Sequence, residues 1–344
     1  MSDVEVTRSG IRNATPGRDA LIGNAGGRPG KRGEKPVVPD AEFQSYYGRP
    51  VIKAPVWKTL DIGGYLFCGG LAGSSSVLGA VADLTDRPTL RRACRVGSAA
   101  ALALGMTGLV HDLGRPRRAL NMLRVAKPSS PMNTGSWLLT AYAPMAGAAA
   151  AAEMLPDRWR KGAAGRRLLS TARPAGLAAA VLGSVVSTYT GVLVSDTAVP
   201  AWHEGHREMP YLFAASAAST AAGLGLLAAD PAETVPARRL AVASAVAEVA
   251  ATRLLERRVG LAAAAYREGR AGRSGRAATA LTVAGTAVGA AFGGRNRPAA
   301  AGAGLALLAG GLLRRFAVMQ AGRQSAEDPA QTVEPQRARL SEHA

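Results

Sequence analysis

Long apolar runs separated by short polar gaps extend from residue 57 to residue 319. Each run is about 18–25 residues long, which is the length an α-helix needs to cross the hydrocarbon core of a bilayer. The sixth run is the weakest, because it contains Glu248 and is followed at once by Arg253. The pattern predicts an all-α integral membrane protein with eight transmembrane helices. The predicted spans are 57–82, 93–113, 133–155, 173–195, 209–229, 237–255, 276–293 and 298–319.

The two ends of the chain differ from this apolar middle. Residues 1–55 and 321–344 are polar, rich in Gly, Pro or Arg, and poor in large apolar side chains. Such segments bury too little apolar surface to offset the entropy of ordering, so we expect a disordered basic N-terminal tail and a short disordered C-terminal tail. The transmembrane domain then occupies residues 56–320. No apolar segment precedes residue 56, so we expect no secretory signal peptide.

A formal net charge of +18 suggests a nucleic-acid partner at first. The cations are instead spread over the tails and the gaps between spans, and aromatic residues are only 5% of the chain. Trp57, Trp137 and Trp202 stand at the ends of apolar runs, where membrane proteins place interfacial aromatics. We therefore predict contact with membrane lipid and none with nucleic acid.

Lysine and arginine counts also predict an orientation. The segments on the N-terminal side of the membrane carry 25 of these cations and those on the other side carry 14. Because cytoplasmic loops are enriched in Lys and Arg, we expect a multi-pass protein of the cell (inner) membrane with both termini in the cytoplasm.

Two classes of redox centre do not fit this composition. The chain has two cysteines and four histidines. Two cysteines are too few for a disulfide framework or for a cysteine-ligated iron–sulfur cluster. A membrane b-type haem needs two facing histidines inside the bundle, and none of the four lies in mid-span. We expect no haem, no iron–sulfur cluster and no metal site in this chain.

Ionisable and phenolic side chains gather at one predicted membrane face. Spans 2 and 4 end on the side where span 1 begins, which brings their terminal residues together. Ionisable groups are costly in a membrane and are candidates for function. Asp, His and Tyr at one depth suit a quinone, because a quinol must release two protons while its electrons leave. The candidates are Asp61 and Tyr65 in span 1, His111 and Asp112 in span 2, and Tyr189 and Asp196 in span 4.

Ordinary structural roles compete with this interpretation. Asp112 could pair with Arg115 at a helix end, and Glu248 could pair with a nearby arginine. Glu153 could be solvated at the interface, and the loop that contains His203 and His206 could be a plain surface loop.

The segment between spans 2 and 3 is strongly basic. Four of its arginines are candidates for contact with a partner protein or with anionic lipid. They are Arg115, Arg117, Arg118 and Arg124.

Several short motifs, in order, resemble the NrfD/polysulfide-reductase (PsrC-like) family of membrane subunits. An Asp-Leu-Gly-Arg-Pro turn follows span 2, and Ser130-Pro131-Met132 and Gly135-Ser136-Trp137 open span 3. Tyr189-Thr190-Gly191 ends span 4, and Met209-Pro210-Tyr211 opens span 5. The resemblance covers about residues 56–230 well and the last three spans weakly.

The resemblance implies a haem-free subunit of eight helices in two four-helix bundles. It implies menaquinone or another quinone as bound substrate, a ferredoxin-like iron–sulfur subunit and a molybdopterin catalytic subunit as partners, and electron transfer between the quinone pool and the iron–sulfur subunit. The family's quinone pocket matches Asp61 and Tyr189 by position, and Tyr65 lies on the same helical face as Asp61. Asp61 departs from the Asn or His common in that region. On this hypothesis His111, Asp112 and Asp196 take or relay protons.

Two other classes of function stay open at this stage. A secondary transporter would show internal repeats and matching mid-span breaks, but Pro144 in span 3 has no counterpart in span 7 and no clear repeat is present. A purely structural anchor without quinone chemistry would explain why spans 5, 7 and 8 carry few acids.

Overall fold

A computed structural model describes residues 5–7, 10–12, 50–53, 55–112 and 121–335. Within the predicted N-terminal tail it describes a short antiparallel pair of strands, β1 (Glu5–Thr7) and β2 (Gly10–Arg12). The rest of the predicted N-terminal tail lies largely outside the described residues, as do residues 336–344 and Arg115, Arg117 and Arg118. Residues 321–335 of the predicted C-terminal tail are described, and the first seven of them are helical.

The described part of the chain is otherwise helical. Three short helices, α4 (Asp157–Arg160), α6 (Pro200–His203) and α9 (Ala263–Arg267), connect longer ones. The long helices are α1 (Thr59–Leu84), α2 (Pro88–Asp112), α3 (Pro131–Met154), α5 (Ala163–Ser195), α7 (Met209–Ala228), α8 (Val235–Arg258), α10 (Gly269–Phe292) and α11 (Arg297–Glu327).

Five of these long helices are long and apolar enough to cross a membrane by length and composition: α1, α2, α5, α7 and α11. The helical membrane class predicted from the sequence is confirmed to this extent. The other three, α3, α8 and α10, coincide with predicted spans but do not meet the same criterion among the described residues.

Two helices extend well beyond the predicted spans. α5 begins at Ala163, ten residues before the predicted start at 173, and continues through Pro174. α11 continues to Glu327, past the predicted end at 319. An apolar run marks the part of a helix that suits lipid, whereas backbone hydrogen bonding can continue into a basic or polar segment.

α1 lies at the centre of the fold. It packs against α2, α5, α7 and α11, and 16 of its 26 residues are buried. Gly73 and Gly183 meet where α1 crosses α5, and a Cβ on either would overlap the backbone of the other. Small residues allow this approach, which is the usual way membrane helices gain packing energy.

The long helices form two groups of four, which we call the first and second helix sets. α1, α2, α3 and α5 contact one another in a ring, and so do α7, α8, α10 and α11. The two sets meet mainly where α1 and α5 pack on α7 and where α1 packs on α11.

Several buried polar groups within the first set are paired across helices. The hydroxyls of Ser76, Ser98 and Tyr142 lie 2.8–2.9 Å from one another and join α1, α2 and α3. Further along, Glu153 Oε1 accepts from Arg91 Nε at 2.7 Å and from Arg95 Nη1 at 3.0 Å. The interpretation of Glu153 as a solvated interfacial residue is therefore wrong: its carboxylate binds α3 to α2.

Glu248 has the ion-pair role that the sequence left open. Its Oε1 lies 2.9 Å from Nε of Arg314, and the two side chains are 1% and 5% exposed. Arg314 Nη2 also donates to Thr279 Oγ1 at 2.7 Å. A buried charge needs a partner with good geometry, and here the pair joins α8, α10 and α11.

Candidate functional site

A small cavity lies inside the first helix set, near the membrane face where α1 and α3 begin and α2 and α5 end. We call this side of the molecule the proximal face. The cavity volume is about 110 Å³. Its lining combines two phenols and one carboxylate with apolar side chains. The lining residues are Trp57, Ile62, Tyr65, Leu66, Leu109, Asp112, Met122, Met132, Ser136, Leu139, Tyr189, Leu193 and Val194.

Two residues predicted from the sequence, Tyr65 and Tyr189, lie in the wall of this cavity. Tyr65 is 5% exposed, and it lies one turn beyond Asp61 on α1. The Tyr189 hydroxyl occupies the space where a side chain at Gly135 would stand. Gly135 is therefore required for the position of the Tyr189 ring. This requirement explains the glycine of the Gly135-Ser136-Trp137 motif.

Asp112 is also part of the wall, at the end of α2. Its Oδ1 accepts a hydrogen bond of 3.3 Å from the backbone N–H of Lys58. That contact ties the end of α2 to the start of α1, so the carboxylate borders both the cavity and the proximal face. The alternative pairing with Arg115 concerns a residue outside the described part of the chain.

Asp61 lies beside the cavity and is not one of its lining residues. Its Oδ2 lies 2.9 Å from Nδ1 of His111 and 3.6 Å from Nζ of Lys58. Asp61 is 16% exposed and His111 is 70% exposed, so the pair connects the cavity's edge with solvent. Asp61 of span 1 and Asp112 of span 2 thus both contact Lys58, Asp61 at its ammonium and Asp112 at its backbone N–H.

The structure does not bring Asp196 into this group. Asp196 is exposed after the last turn of α5, and it does not line the cavity. Arg124 is likewise exposed, in the segment before α3. In the following loop, His206 Nδ1 lies 2.9 Å from the carbonyl oxygen of His203, and both imidazoles are at the surface.

The segment just before α1 is anchored by contacts with residues outside the first helix set. Trp57 stacks on Trp202 with ring centroids 5.8 Å apart, and the Trp202 indole donates to the Val318 carbonyl at 2.8 Å. Arg323 donates to the Trp57 carbonyl. These contacts fix the segment that carries Trp57 and Lys58 over the cavity.

Sequence reasoning missed most of the apolar wall and the role of Lys58. Met132 and Ser136 belong to motifs that had been singled out for their resemblance, yet nothing in the sequence says that they face Tyr189. Leu109 and Leu139 lie in uniformly apolar runs and give no individual signal. A helical-face analysis of α3 would have grouped Met132, Ser136 and Leu139, which recur every three or four residues.

The cavity suits the ring of a small, flat, mostly apolar molecule with polar edges. Its volume corresponds to on the order of ten water-sized positions, similar to the heavy atoms of a one- or two-ring head group. Two phenolic hydroxyls and one carboxylate supply donors and an acceptor, and the remaining wall is mostly apolar. Among the described residues, no group of three or more His, Cys, Asp or Glu is arranged to hold a metal ion.

Fold and cavity together define a multi-pass helical membrane protein with an amphipathic site near one face. Residues 51–251 match the family model described as polysulphide reductase, NrfD. That match covers more than half of the 344 residues, so the chain belongs to the NrfD family, as the motifs predicted. Membership indicates a membrane subunit of a polysulfide reductase-like complex. A search of curated proteins finds no match.

The Gly135–Tyr189 contact predicts an asymmetric effect of adding one methyl group to α3. Gly135→Ala should lower the free energy of unfolding by about 1–3 kcal/mol, because the Tyr189 ring must move. Gly147→Ala on the same helix should be neutral or slightly stabilising, because nothing lies within 4 Å of the added Cβ. The measurement is denaturant unfolding of the purified chain in detergent micelles.

Tyr189→Ala should remove most of the Gly135→Ala penalty, because the two changes are in direct contact. Equal effects of the two glycine substitutions would contradict the placement of the Tyr189 ring.

Proposed function

We propose that this chain is the quinone-reactive membrane subunit of a molybdenum and iron–sulfur oxidoreductase complex. It passes electrons between the quinone pool and a ferredoxin-like iron–sulfur subunit, which serves a molybdopterin catalytic subunit. The observation that carries the proposal is the cavity of about 110 Å³ with Tyr65, Tyr189 and Asp112 in a mostly apolar wall. Family membership supports the same class of complex.

A bound quinone would supply reversible two-electron, two-proton chemistry. The chain's part is to orient the head group and to handle protons at its oxygens. The hydroxyls of Tyr65 and Tyr189 donate hydrogen bonds from α1 and α5, while Leu66, Leu109 and Leu139 enclose the ring. In such a dry site each hydrogen bond is stronger than in water and fixes one orientation.

Asp112 is the proton-exchanging group of this proposal. It is the one carboxylate among the cavity's described lining residues, and its Lys58 contact places it at the proximal face. Asp61 and His111 form a hydrogen-bonded pair beside Asp112 that ends in an exposed imidazole at the same face. Asp112 contacts the backbone N–H of Lys58 and Asp61 contacts its ammonium, so Asp61 supports this edge of the site and does not contact the ring.

The iron–sulfur partner would dock on the proximal face. Electron transfer favours short distances, and the cavity lies close to this side of the molecule. Exposed polar groups there include His111, Asp196, His203 and Arg124. In this account they serve partner contact, and Asp196 has that role in place of proton relay.

We further propose that all eight long helices cross the membrane as two four-helix bundles, with both termini in the cytoplasm. The two closed sets of helix contacts support the bundles. Polar residues such as Asn133 and Glu153 lower the hydropathy of α3, and Arg270, Arg273 and Arg276 lower that of α10. Several charges lower that of α8, and one of them, Glu248, is paired inside the protein.

The first prediction concerns binding by this chain alone. A water-soluble naphthoquinone analogue should saturably quench the emission of Trp57, which lines the cavity. Tyr189→Phe should raise the apparent Kd roughly fivefold, because one hydrogen bond contributes about 1 kcal/mol. Tyr211→Phe, at a residue that is 73% exposed, is the matched control and should leave the Kd unchanged. The measurement is a fluorescence titration of the purified chain in micelles.

An equal Kd for Tyr189→Phe, Tyr211→Phe and the unchanged chain would place the binding elsewhere. The absence of any saturable quenching would instead favour a structural anchor without quinone chemistry.

The second prediction concerns proton exchange in the assembled complex. Asp112→Asn should reduce quinol-linked electron transfer about 100-fold or more, because an amide cannot accept the proton. Analogue binding by the same variant should change far less. Asp157→Asn, at an almost fully exposed position on the opposite face, should retain full turnover. The measurement is quinol-linked turnover of the assembled complex in membranes. Full activity of the Asp112→Asn complex would show that Asp112 is not part of the proton route.

The third prediction concerns topology. Eight crossings place the N- and C-termini on the same side of the membrane, whereas five crossings place them on opposite sides. Reporter fusions at each terminus, active only in the cytoplasm or only outside it, should therefore both report the cytoplasm. Reporters on opposite sides would show that α3, α8 and α10 do not all cross.

A further inference from the structure

A second and larger cavity lies in the other helix set, between α8 and α10, and is backed by α11. Its volume is about 540 Å³, which is in the usual range for ligand sites. It shares no lining residue with the tyrosine cavity. Gly272, Gly275 and Thr279 form its floor on α10, and these small side chains leave the space open.

This cavity opens through the side of the helix set. Val283 lies in its wall and is 50% exposed. Val283 is seven residues beyond the start of the predicted span at 276, which corresponds to roughly 10 Å along the helix. With α10 crossing the membrane as proposed above, an opening at that position faces lipid.

The polar part of the cavity carries excess positive charge. Arg267, Arg276 and Arg314 line it together with one carboxylate, Glu256. Glu256 already pairs with Arg267 at 3.2 Å, and Arg314 is paired with Glu248 behind the wall. Arg276 donates only to the Arg267 carbonyl, at 3.0 Å, and pairs with no carboxylate in the described ranges.

The rest of the lining is apolar. Leu212, Leu255 and Val318 are buried and cover the deeper wall, whereas Ala280 and Val283 are exposed and border the opening. Tyr266 adds no charge, because burial raises the pKa of its phenol and its hydroxyl donates to the Ala201 carbonyl at 2.7 Å. A cationic end near the proximal face followed by an apolar slot matches an amphiphile that has an anionic head.

We propose that this cavity is a binding site for an anionic phospholipid. The phosphate lies against Arg276 and Arg267. Arg276 is not paired with a carboxylate in the described ranges, so its guanidinium can donate hydrogen bonds to the phosphate without breaking an ion pair. An acyl chain leaves past Ala280 and Val283 into the bilayer. A basic pocket between membrane helices is the expected form of such a site. The lipid fills the gap between α8 and α10 and so completes the packing of the second helix set.

The test uses the purified full-length chain in neutral detergent and counts bound lipids by native mass spectrometry. Phosphatidylglycerol should bind more tightly than phosphatidylcholine. Arg267→Gln with Arg276→Gln should weaken phosphatidylglycerol binding roughly 25-fold, about fivefold for each arginine removed. Arg257→Gln, an exposed arginine of α8 outside the cavity, is the charge-matched control and should bind normally.

A second variant tests the slot without changing charge. Ala280→Phe places a ring in the apolar part of the cavity and should abolish tight phosphatidylglycerol binding. Ala290→Phe, at another exposed alanine of α10 outside the cavity, should not. These two variants keep the proposal testable if the double arginine variant fails to fold.

Three outcomes would overturn the proposal. Equal binding of phosphatidylcholine would remove the role of the arginines. Full displacement of phosphatidylglycerol by millimolar inorganic phosphate would indicate a small-anion site. Unchanged binding in Ala280→Phe would place the lipid elsewhere on the surface.

Discussion

The close crossing of α1 and α5 is the contact on which the rest of the structure depends. Gly73 and Gly183 meet backbone to backbone, so α1 can lie at the centre of the fold with α2, α5, α7 and α11 around it. Without water to solvate them, polar groups on such a helix must find partners on its neighbours. α1 is consequently the helix that contributes to every polar cluster of the first helix set.

Those clusters follow the length of α1. At the proximal face Asp61 binds His111, and one turn further Tyr65 lines the cavity. Ser76 lies in the hydroxyl cluster with Ser98 and Tyr142, and Asp83 lies 3.4 Å from both Arg91 and Arg95. The group at the proximal face borders the cavity that holds Tyr65, Tyr189 and Asp112, which is why the proposed chemistry is placed there.

The sequence predicted the helical membrane class from hydropathy and the family from its motifs. Hydropathy indicates the class because a membrane helix has a fixed minimum length, but it missed the first ten residues of α5 and the last turns of α11. It failed for Glu153, whose partners Arg91 and Arg95 lie about sixty positions earlier, a separation that no local pattern reports. It could group Asp61, Tyr65 and Asp112 by topology, but not decide that Asp61 stands outside the cavity wall. That distinction depends on side-chain direction and on the space left by Gly135.

Photoaffinity labelling tests the central claim most directly. An azido-naphthoquinone would be irradiated with the purified chain, and the labelled peptides mapped by mass spectrometry. The account predicts labelling of the peptides that carry Trp57, Met132 or Tyr189, with protection by excess unlabelled quinone. Protected labelling confined to α8 and α10, or no protected labelling at all, would contradict it.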